Sequence, residues 1–557
     1  MFSKLKQSSK DTAHTIRLAV QVAWKTGLLP YTIPSAVVML VDSLARGRAS
    51  PSTLYRLQAL SQPRKVALRW RHRTYTFCQI DDEIDRLATG LKACGVPRGA
   101  STILMLKNRP EFILAQPAMS RMGSAGVSIS WRSTPAELAW LATHSQAKAI
   151  LFDHDVAGTV RDALPELKQI PRDRMFSVGG RVQGFPTYEQ LISARAGRLP
   201  DAGGEAAVIV YTSGTTGRPK AALRKFPRDV VQGTLNVISV APLRTDDVHL
   251  AVLPFYHSTA FAFTSFSHLV GACVVILDEF TPEGFLRAVQ EHHVTQTAVV
   301  PTLLHRVCRL GADVVRRYDT TSLRAIITAG APLSAPLASE AMDLLGEVLY
   351  NFYGATETGL NTMASPADLR QSPGTIGRLV PGNEIRLLDD DGREVAPGEV
   401  GELYARSGLM VSGYLGDEAS TRASQRDGFF SVGDLARVDA RGCYHIAGRK
   451  RDMIISGGVN VYPAEVEAVV ESHPDVAEAA VVGEADEEWG ERVRAFVVLR
   501  DGVHPEHAIT QIDAYCRKHL MGPKLPREFV VLEALPRNPT GKVLKDTLRH
   551  LGMPAAR

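Results

Sequence analysis

At 557 residues the chain is too long for one ordinary core and implies several packed units, while 45% hydrophobic and 22% charged residues exclude a disordered or fibrous chain. The net charge of +5 is spread along the sequence with no basic block of the kind nucleic-acid binding uses. Six cysteines, distant from one another and without a CxxC pair, suggest neither a disulfide framework nor a zinc ribbon and suit a reducing cytoplasm.

The N-terminus is basic (Lys4, Lys6, Lys10, Arg17, Lys25), but polar residues interrupt its apolar positions, so no signal peptide is predicted. The apolar stretch from Gly27 to Leu40 contains Pro30 and Pro34 and is shorter than the roughly 18 residues of a spanning helix. It reads either as a packed N-terminal arm or as a segment lying on an anionic membrane surface. From about Ser52, short β-branched runs alternate with amphipathic stretches. TILML, AILFD, AVIVY, VVIL, TAVVP and AIITAG are strand-like, and FCQIDDEIDRLATGLKACG reads as a helix ended by Gly95, which predicts a large α/β domain. Near Pro381 the segments shorten and turn signals (DDDG, APG, RDG, DARG) predict a small β-rich region. After Asp452 strand and helix alternate again, which predicts a final unit of about 105 residues.

The run Ala207 to Tyr211 leads into Thr212-Ser213-Gly214-Thr215-Thr216-Gly217-Arg218-Pro219-Lys220. Two glycines allow the backbone to curl around one point, four hydroxyls add donors and Lys220 adds a cation, which suits a polyphosphate. The pattern is not a Walker A motif, and a bare glycine-and-hydroxyl turn is the plain alternative. YTSGTTGRPK closely resembles the signature of the adenylate-forming superfamily, which includes acyl-CoA synthetases, luciferases and peptide-synthetase adenylation domains.

Further motifs resembling that superfamily follow in order. Gly330-Ala331-Pro332 matches the segment that lies against adenine. In Asn351 to Glu357, the resemblance puts Tyr353 and Gly354 near the adenine, Thr356 near the α-phosphate and Glu357 on magnesium, a hard cation that favours carboxylate oxygens. Asp434 matches the aspartate that accepts both ribose hydroxyls, and Arg449 the arginine that approaches ribose and phosphate. Lys542, in PRNPTGK, matches the lysine that reaches the reacting carboxylate. Arg451 holds the place of the hinge about which the family's C-terminal domain rotates, where Asp or Lys is usual. The rotation brings Gly457 and Gly458 toward the site to make room for the pantetheine arm.

The resemblance implies an α/β fold with a large N-terminal domain, made of two α/β subdomains and a small β-rich one, and a small mobile α+β C-terminal domain. The expected division is an arm at 1–51, an AMP-binding domain at 52–447, a linker at 448–451 and a C-terminal domain at 452–557. It also implies an acid–thiol ligase with ATP, magnesium and coenzyme A. In Pro254 to Phe261, His257 holds the place of a carboxylate-side or gating residue, though a core histidine is the plain alternative, and Phe261, Phe263 and Phe266 line the pocket or fill the core.

The motifs differ over the acid. YTSGTTGRPKAA and YGATETG resemble long-chain fatty acid members, whereas SGGVNVYPAEVE resembles medium-chain and aromatic acid ligases. With no charged residue in the pocket segment for a polar tail, a medium- to long-chain fatty acid is expected. The alternatives are an aromatic acid–CoA ligase and transfer to a separate carrier protein, since only about fifteen residues follow Lys542 and leave no room for a carrier domain. A non-enzymatic nucleotide binder would be expected to have lost the charged residues, which are present. No GxSxG elbow suggests a hydrolase and no HExxH a zinc enzyme.

Overall fold

Burial on both faces sets the character of the strands in the large domain. Ser101–Met105, Cys273–Ile276 and Ala325–Thr328 are buried at every position, which explains their largely apolar runs and marks them as strands of parallel sheets covered by helices. The helix Phe77–Ala93 opens on a capping box between Thr76 and Gln79. It buries Phe77, Ile80, Ile84, Leu87 and Leu91 on one stripe and ends just before Gly95. Each such side chain contributes about 1.5–3 kcal/mol by leaving water.

The structure, a computed structural model, describes residues 2–46, 50–193, 197–199, 207–212, 220–226, 228–538 and 541–551. The side chains of residues 2–13, 44, 45, 212 and 228 also lie outside the description. Among the described residues the strands form four sheets. A nine-stranded sheet carries Val248–Ala251, Cys273–Ile276, Gln296–Val299, Ala325–Thr328 and Leu349–Ala355 in parallel and continues through the antiparallel strand Gly359–Ala364 to the edge strand Arg378–Leu379. A seven-stranded sheet is built around Ser101–Met105 and Ala125–Ser128, with Ala207–Thr212 parallel to the latter. One buried cluster joins the two sheets through Leu104, Leu151, Leu250 and Val274 and the helices between them.

The β-rich region after Pro381 is a five-stranded antiparallel sheet. Its Asp427-Gly428 turn takes positive φ at both positions (48° and 79°), the geometry of a tight hairpin. The last strand, Tyr444–Arg449, runs into the expected linker, and Lys450–Asp452 forms a single 3₁₀ turn. The final unit is α+β, with a five-stranded sheet packed on both faces, one core around Val466, Val481 and Ile512 and another around Val482, Phe496 and Leu548. The two α/β sheets, the small β-sheet and the C-terminal α+β unit match the expected fold class.

The N-terminal arm is helical, with α1 (Phe2–Lys25) and α2 (Pro34–Ala45). Lys25 Nζ donates to the carbonyls of Ile238, Ser239 and Ala241 at 3.2, 2.7 and 2.7 Å, capping the C-terminal end of the helix Arg228–Val240, where a cation is favoured. The Thr245 amide donates to the Thr26 carbonyl at 2.7 Å. No helix among the described residues is long and apolar enough to cross a membrane.

Candidate active site

The strands Ala207–Thr212 and Lys220–Lys225 pair antiparallel down to Thr212 opposite Lys220, so the expected phosphate loop is the connection between them. Ser213, Gly214, Thr215, Thr216 and Gly217 lie outside the described residues, as does the Thr212 side chain. Lys220 Nζ donates to Ser420 Oγ at 3.0 Å and lies 5.0 Å from the centre of the Tyr414 ring.

Thr356 and Glu357 sit at the tip of the hairpin formed by Leu349–Ala355 and Gly359–Ala364. The tip is pinned from three sides. Arg224 Nη2 donates to the Thr356 carbonyl at 2.7 Å, Thr356 Oγ1 and Ser258 Oγ are 3.0 Å apart, and the Tyr414 hydroxyl donates to Glu357 Oε1 at 3.1 Å. Arg224 is half-buried, and desolvation of its guanidinium pulls its pKa down to about 10, against the raising effect of the Glu357 carboxylate. Glu357 is itself buried. A single carboxylate beside Thr356 and Lys220 fits a magnesium ion, which keeps several waters and takes phosphate oxygens.

Asp434 and Arg449 face each other across an antiparallel pair, so strand register brings together two motifs distant in sequence. Arg449 Nε is 3.1 Å from Asp434 Oδ1, and the Tyr353 hydroxyl donates to Asp434 Oδ2 at 2.8 Å. Lys542 sits in a tight turn. Its amide donates to Asn538 Oδ1 at 2.9 Å, and Arg537 Nη1 donates to the Gly541 carbonyl at 2.6 Å. Thr302 Oγ1 of the large domain also donates to that carbonyl, at 3.2 Å, which fixes the turn against the site. Burial, then the neighbouring Arg449 charge, pulls the Lys542 ammonium down to about 8.

These groups border one cavity of about 1560 Å³, larger than the roughly 300–1,000 Å³ that holds a single drug-sized ligand. Lys220, Gly330, Gly354, Thr356, Glu357 and His257 line it, together with Asp434, Arg449 and Lys542. Tyr353 acts on it through Asp434. Ala331, Pro332, Arg451, Gly457 and Gly458 are not among its lining residues. Gly457 and Gly458 form the exposed turn between Ile454–Ser456 and Val459–Val461, and a β-carbon on Gly457 would come within 2.6 Å of the Trp489 ring.

His257 precedes the helix Ser258–Leu269 and packs on Tyr256 with ring centroids 4.1 Å apart. Burial pulls its pKa down to about 4, and its buried Nε2 has no hydrogen-bond partner among the described residues. The three phenylalanines divide their work. Phe261 and Phe266 line the cavity, while Phe263 is fully buried against Phe352 at 5.6 Å.

Arg224, Tyr414 and Ser258 were not singled out from the sequence. Arg224 had a signal, since Lys220, Ala222 and Arg224 alternate along one strand and all three line the cavity. Tyr414 had none, because only the pairing of Gly413–Tyr414 with Lys220–Lys225 brings it in.

A charged half joined to an apolar half, with a lysine delivered by a second domain, is the arrangement of an enzyme that adenylates a carboxylic acid. The family model described as AMP-binding enzyme matches residues 55–415, and the AMP-binding enzyme C-terminal domain matches 465–542. The chain is 33% identical over 507 residues to an indoleacetate–CoA ligase of Aromatoleum aromaticum, covering 88% of this chain and 96% of that protein. It is 31% identical over 500 residues to a 2-succinylbenzoate–CoA ligase of Bacillus licheniformis, covering 89% and 99%. Its fold superimposes with a TM-score of 0.84 on the crystal structure of the anthranilate CoA ligase AuaEII in complex with anthranoyl-AMP, at 25% identity over 90% of this chain and 96% of that one.

The chain belongs to the AMP-binding enzyme family. It is an AMP-forming acid–thiol ligase that uses ATP, magnesium and coenzyme A. The relatives overturn the expectation of a medium- to long-chain fatty acid and of a place in fatty acid metabolism, because the acids in their names are built on rings. The physical reason is that an apolar wall without charge accepts a ring as readily as a chain, so the lack of charge in the pocket segment carried no preference between them.

Proposed function

We propose that the enzyme activates an aromatic carboxylic acid, one whose ring fills the apolar half of the cavity, and transfers the acyl group to coenzyme A. The observation that carries this is the lining of one continuous cavity by Lys542, Thr356 and Glu357 together with Phe261 and Phe266. The ring acids named for the relatives support the choice of acid.

In the first half-reaction an oxygen of the carboxylate attacks the α-phosphorus of ATP and pyrophosphate leaves. Lys542 supplies a cation between the two anions, and Thr356 donates to the α-phosphate. Glu357 would hold the magnesium ion, which would supply countercharge to the phosphates. The loop Thr212 to Gly217 with Lys220 cradles the phosphates, Asp434 accepts the ribose hydroxyls beside Arg449, and Gly330 to Pro332 with Tyr353 and Gly354 frame the adenine. In the second half-reaction the thiolate sulfur of coenzyme A attacks the acyl carbon and AMP leaves. Residues 448–451 serve as the linker between 52–447 and 452–557. Rotation about Arg451 withdraws Lys542 and brings Gly457 and Gly458 to the pantetheine. The basic, apolar N-terminal arm supports peripheral contact with a membrane.

The test is pyrophosphate release from purified enzyme over benzoates, arylacetates and straight-chain acids of graded length, with and without coenzyme A. Turnover of the ring acids with thioester formation is expected. Faster turnover of a straight-chain acid than of every ring acid would reject the proposed acid.

A further inference from the structure

Nine of the sixteen exposed large apolar side chains among the described residues lie between Ile16 and Val41. They divide into two sets. Ile16, Val20, Leu29, Val37 and Val41 are exposed yet also line the cavity that reaches Lys542, so the cavity opens to the outside between α1 and α2. Trp24, Tyr31, Ile33 and Val38 do not line it and face outward, Trp24 with 76% and Val38 with 67% of its surface accessible. A cavity mouth with an apolar rim and outward apolar side chains beside it exposes apolar surface to water, which marks an interaction site.

Charge selects the partner. Besides Lys25, which caps the helix Arg228–Val240, the α1 sequence holds Lys4, Lys6, Lys10 and Arg17 against a single acid, Asp11. Arg17 is exposed and lies seven residues from Trp24, on the same side of the helix. A second copy of the chain docking here would set two such helices of like charge side by side, whereas an anionic bilayer complements both the basic residues and the apolar ones. Tryptophan and tyrosine beside basic residues suit the headgroup level. The arm also precedes the matched family region, which begins at residue 55, and the helix capped by Lys25 forms part of the cavity wall through Val230, Leu235 and Ile238.

We infer that α1 and α2 rest on an anionic lipid surface and form a portal through which an apolar acid dissolved in the bilayer enters the cavity. This rests on the assignment of the apolar half of the cavity to the acid. The lipid contact itself does not depend on which acid is used.

The test uses the full chain with vesicles of phosphatidylcholine containing 30% phosphatidylglycerol (about one anionic lipid in three), and with pure phosphatidylcholine vesicles. At least tenfold stronger co-sedimentation with the anionic vesicles is expected, with a blue shift of emission that Trp24→Phe removes. The double variant Trp24→Ser, Val38→Ser should lose at least tenfold in partition while its pyrophosphate release with a water-soluble acid stays within twofold. Failure of the wild type to sediment, equal sedimentation of the double variant, or a dimer in light scattering that this variant dissolves would each overturn the lipid contact. For the portal, Val20→Trp should raise the KM for an alkyl-substituted benzoate supplied in vesicles about tenfold and leave the KM for ATP unchanged. An unaltered acid KM would overturn it. If no aromatic acid is turned over, the sedimentation results still decide the lipid contact, so the two failures are distinguishable.

Discussion

The Tyr353 hydroxyl donates to Asp434 Oδ2 at 2.8 Å, while Arg449 holds the other oxygen of the same carboxylate. The carboxylate is therefore oriented from two motifs before any ligand arrives. A hydrogen bond to a charged group contributes about 1.5–3 kcal/mol, or about tenfold to a hundredfold in affinity. Tyr353→Phe should raise the KM for ATP toward the lower end of that range, and Asp434→Ala should exceed it. An unchanged KM in a steady-state titration of ATP at saturating acid would refute the positioning role of Tyr353.

Lys542 should matter for one half-reaction only. Lys542→Ala is expected to reduce adenylation by a hundredfold or more, the loss typical of one well-placed electrostatic partner, and to leave thioester formation from supplied acyl-adenylate within a few fold. Equal loss in both single-turnover assays would contradict this.

The same lysine sets a pH dependence. Its protonated form is the active one, and burial with the Arg449 charge brings it down to about 8 in the free enzyme. The kcat/KM for adenylation should therefore be flat below pH 8 and fall about tenfold per unit above it. Lys542→Arg keeps its charge throughout and should lose this limb whatever its absolute rate. A limb that persisted in Lys542→Arg would assign it to another group.

Glu357 receives the Tyr414 hydroxyl and shares a hairpin tip with Thr356. Glu357→Gln keeps the shape and removes the charge that a hard cation favours, so the magnesium concentration for half-maximal pyrophosphate release should rise about tenfold or more. Tyr414→Phe should produce a smaller shift in the same direction. A magnesium titration unchanged in Glu357→Gln would move the metal elsewhere.

His257 is kept neutral by burial, which brings it to about 4, so it should contribute no acidic limb between pH 5 and 8. Its unpartnered Nε2 suits a hydrogen bond to the acid. His257→Phe should raise the KM for the acid about three- to tenfold, the value of one neutral hydrogen bond, without altering the KM for ATP. Equal changes in both constants would instead mark a packing role.

The motifs made much of the site legible in advance. Thr356, Glu357, Asp434, Arg449 and Lys542, chosen from separate stretches, line one cavity, and Phe263, which had two open roles, proves to be core. The acid was misread because two motifs disagreed. SGGVNVYPAEVE, near the C-terminal hairpin, gave the direction that the relatives share, and the phosphate-loop match did not. Phosphate-binding residues answer to ATP, which every member uses, so they hold little information about the acid.

Local sequence determined what local physics governs. β-branched runs gave strands buried on both faces, and the Thr76–Gln79 capping box and apolar stripe gave a helix. Resemblance supplied the reaction class. The tertiary structure decided what depends on register and on contacts between distant segments. It put Arg449 opposite Asp434, brought Tyr414 to Glu357 and Arg224 to Thr356, and made the N-terminal arm a wall of the same cavity. Such contacts join segments separated by tens to hundreds of residues, and a one-residue slip in pairing would turn each side chain to the opposite face. Periodicity along the chain specifies a face, but only packing specifies what that face meets.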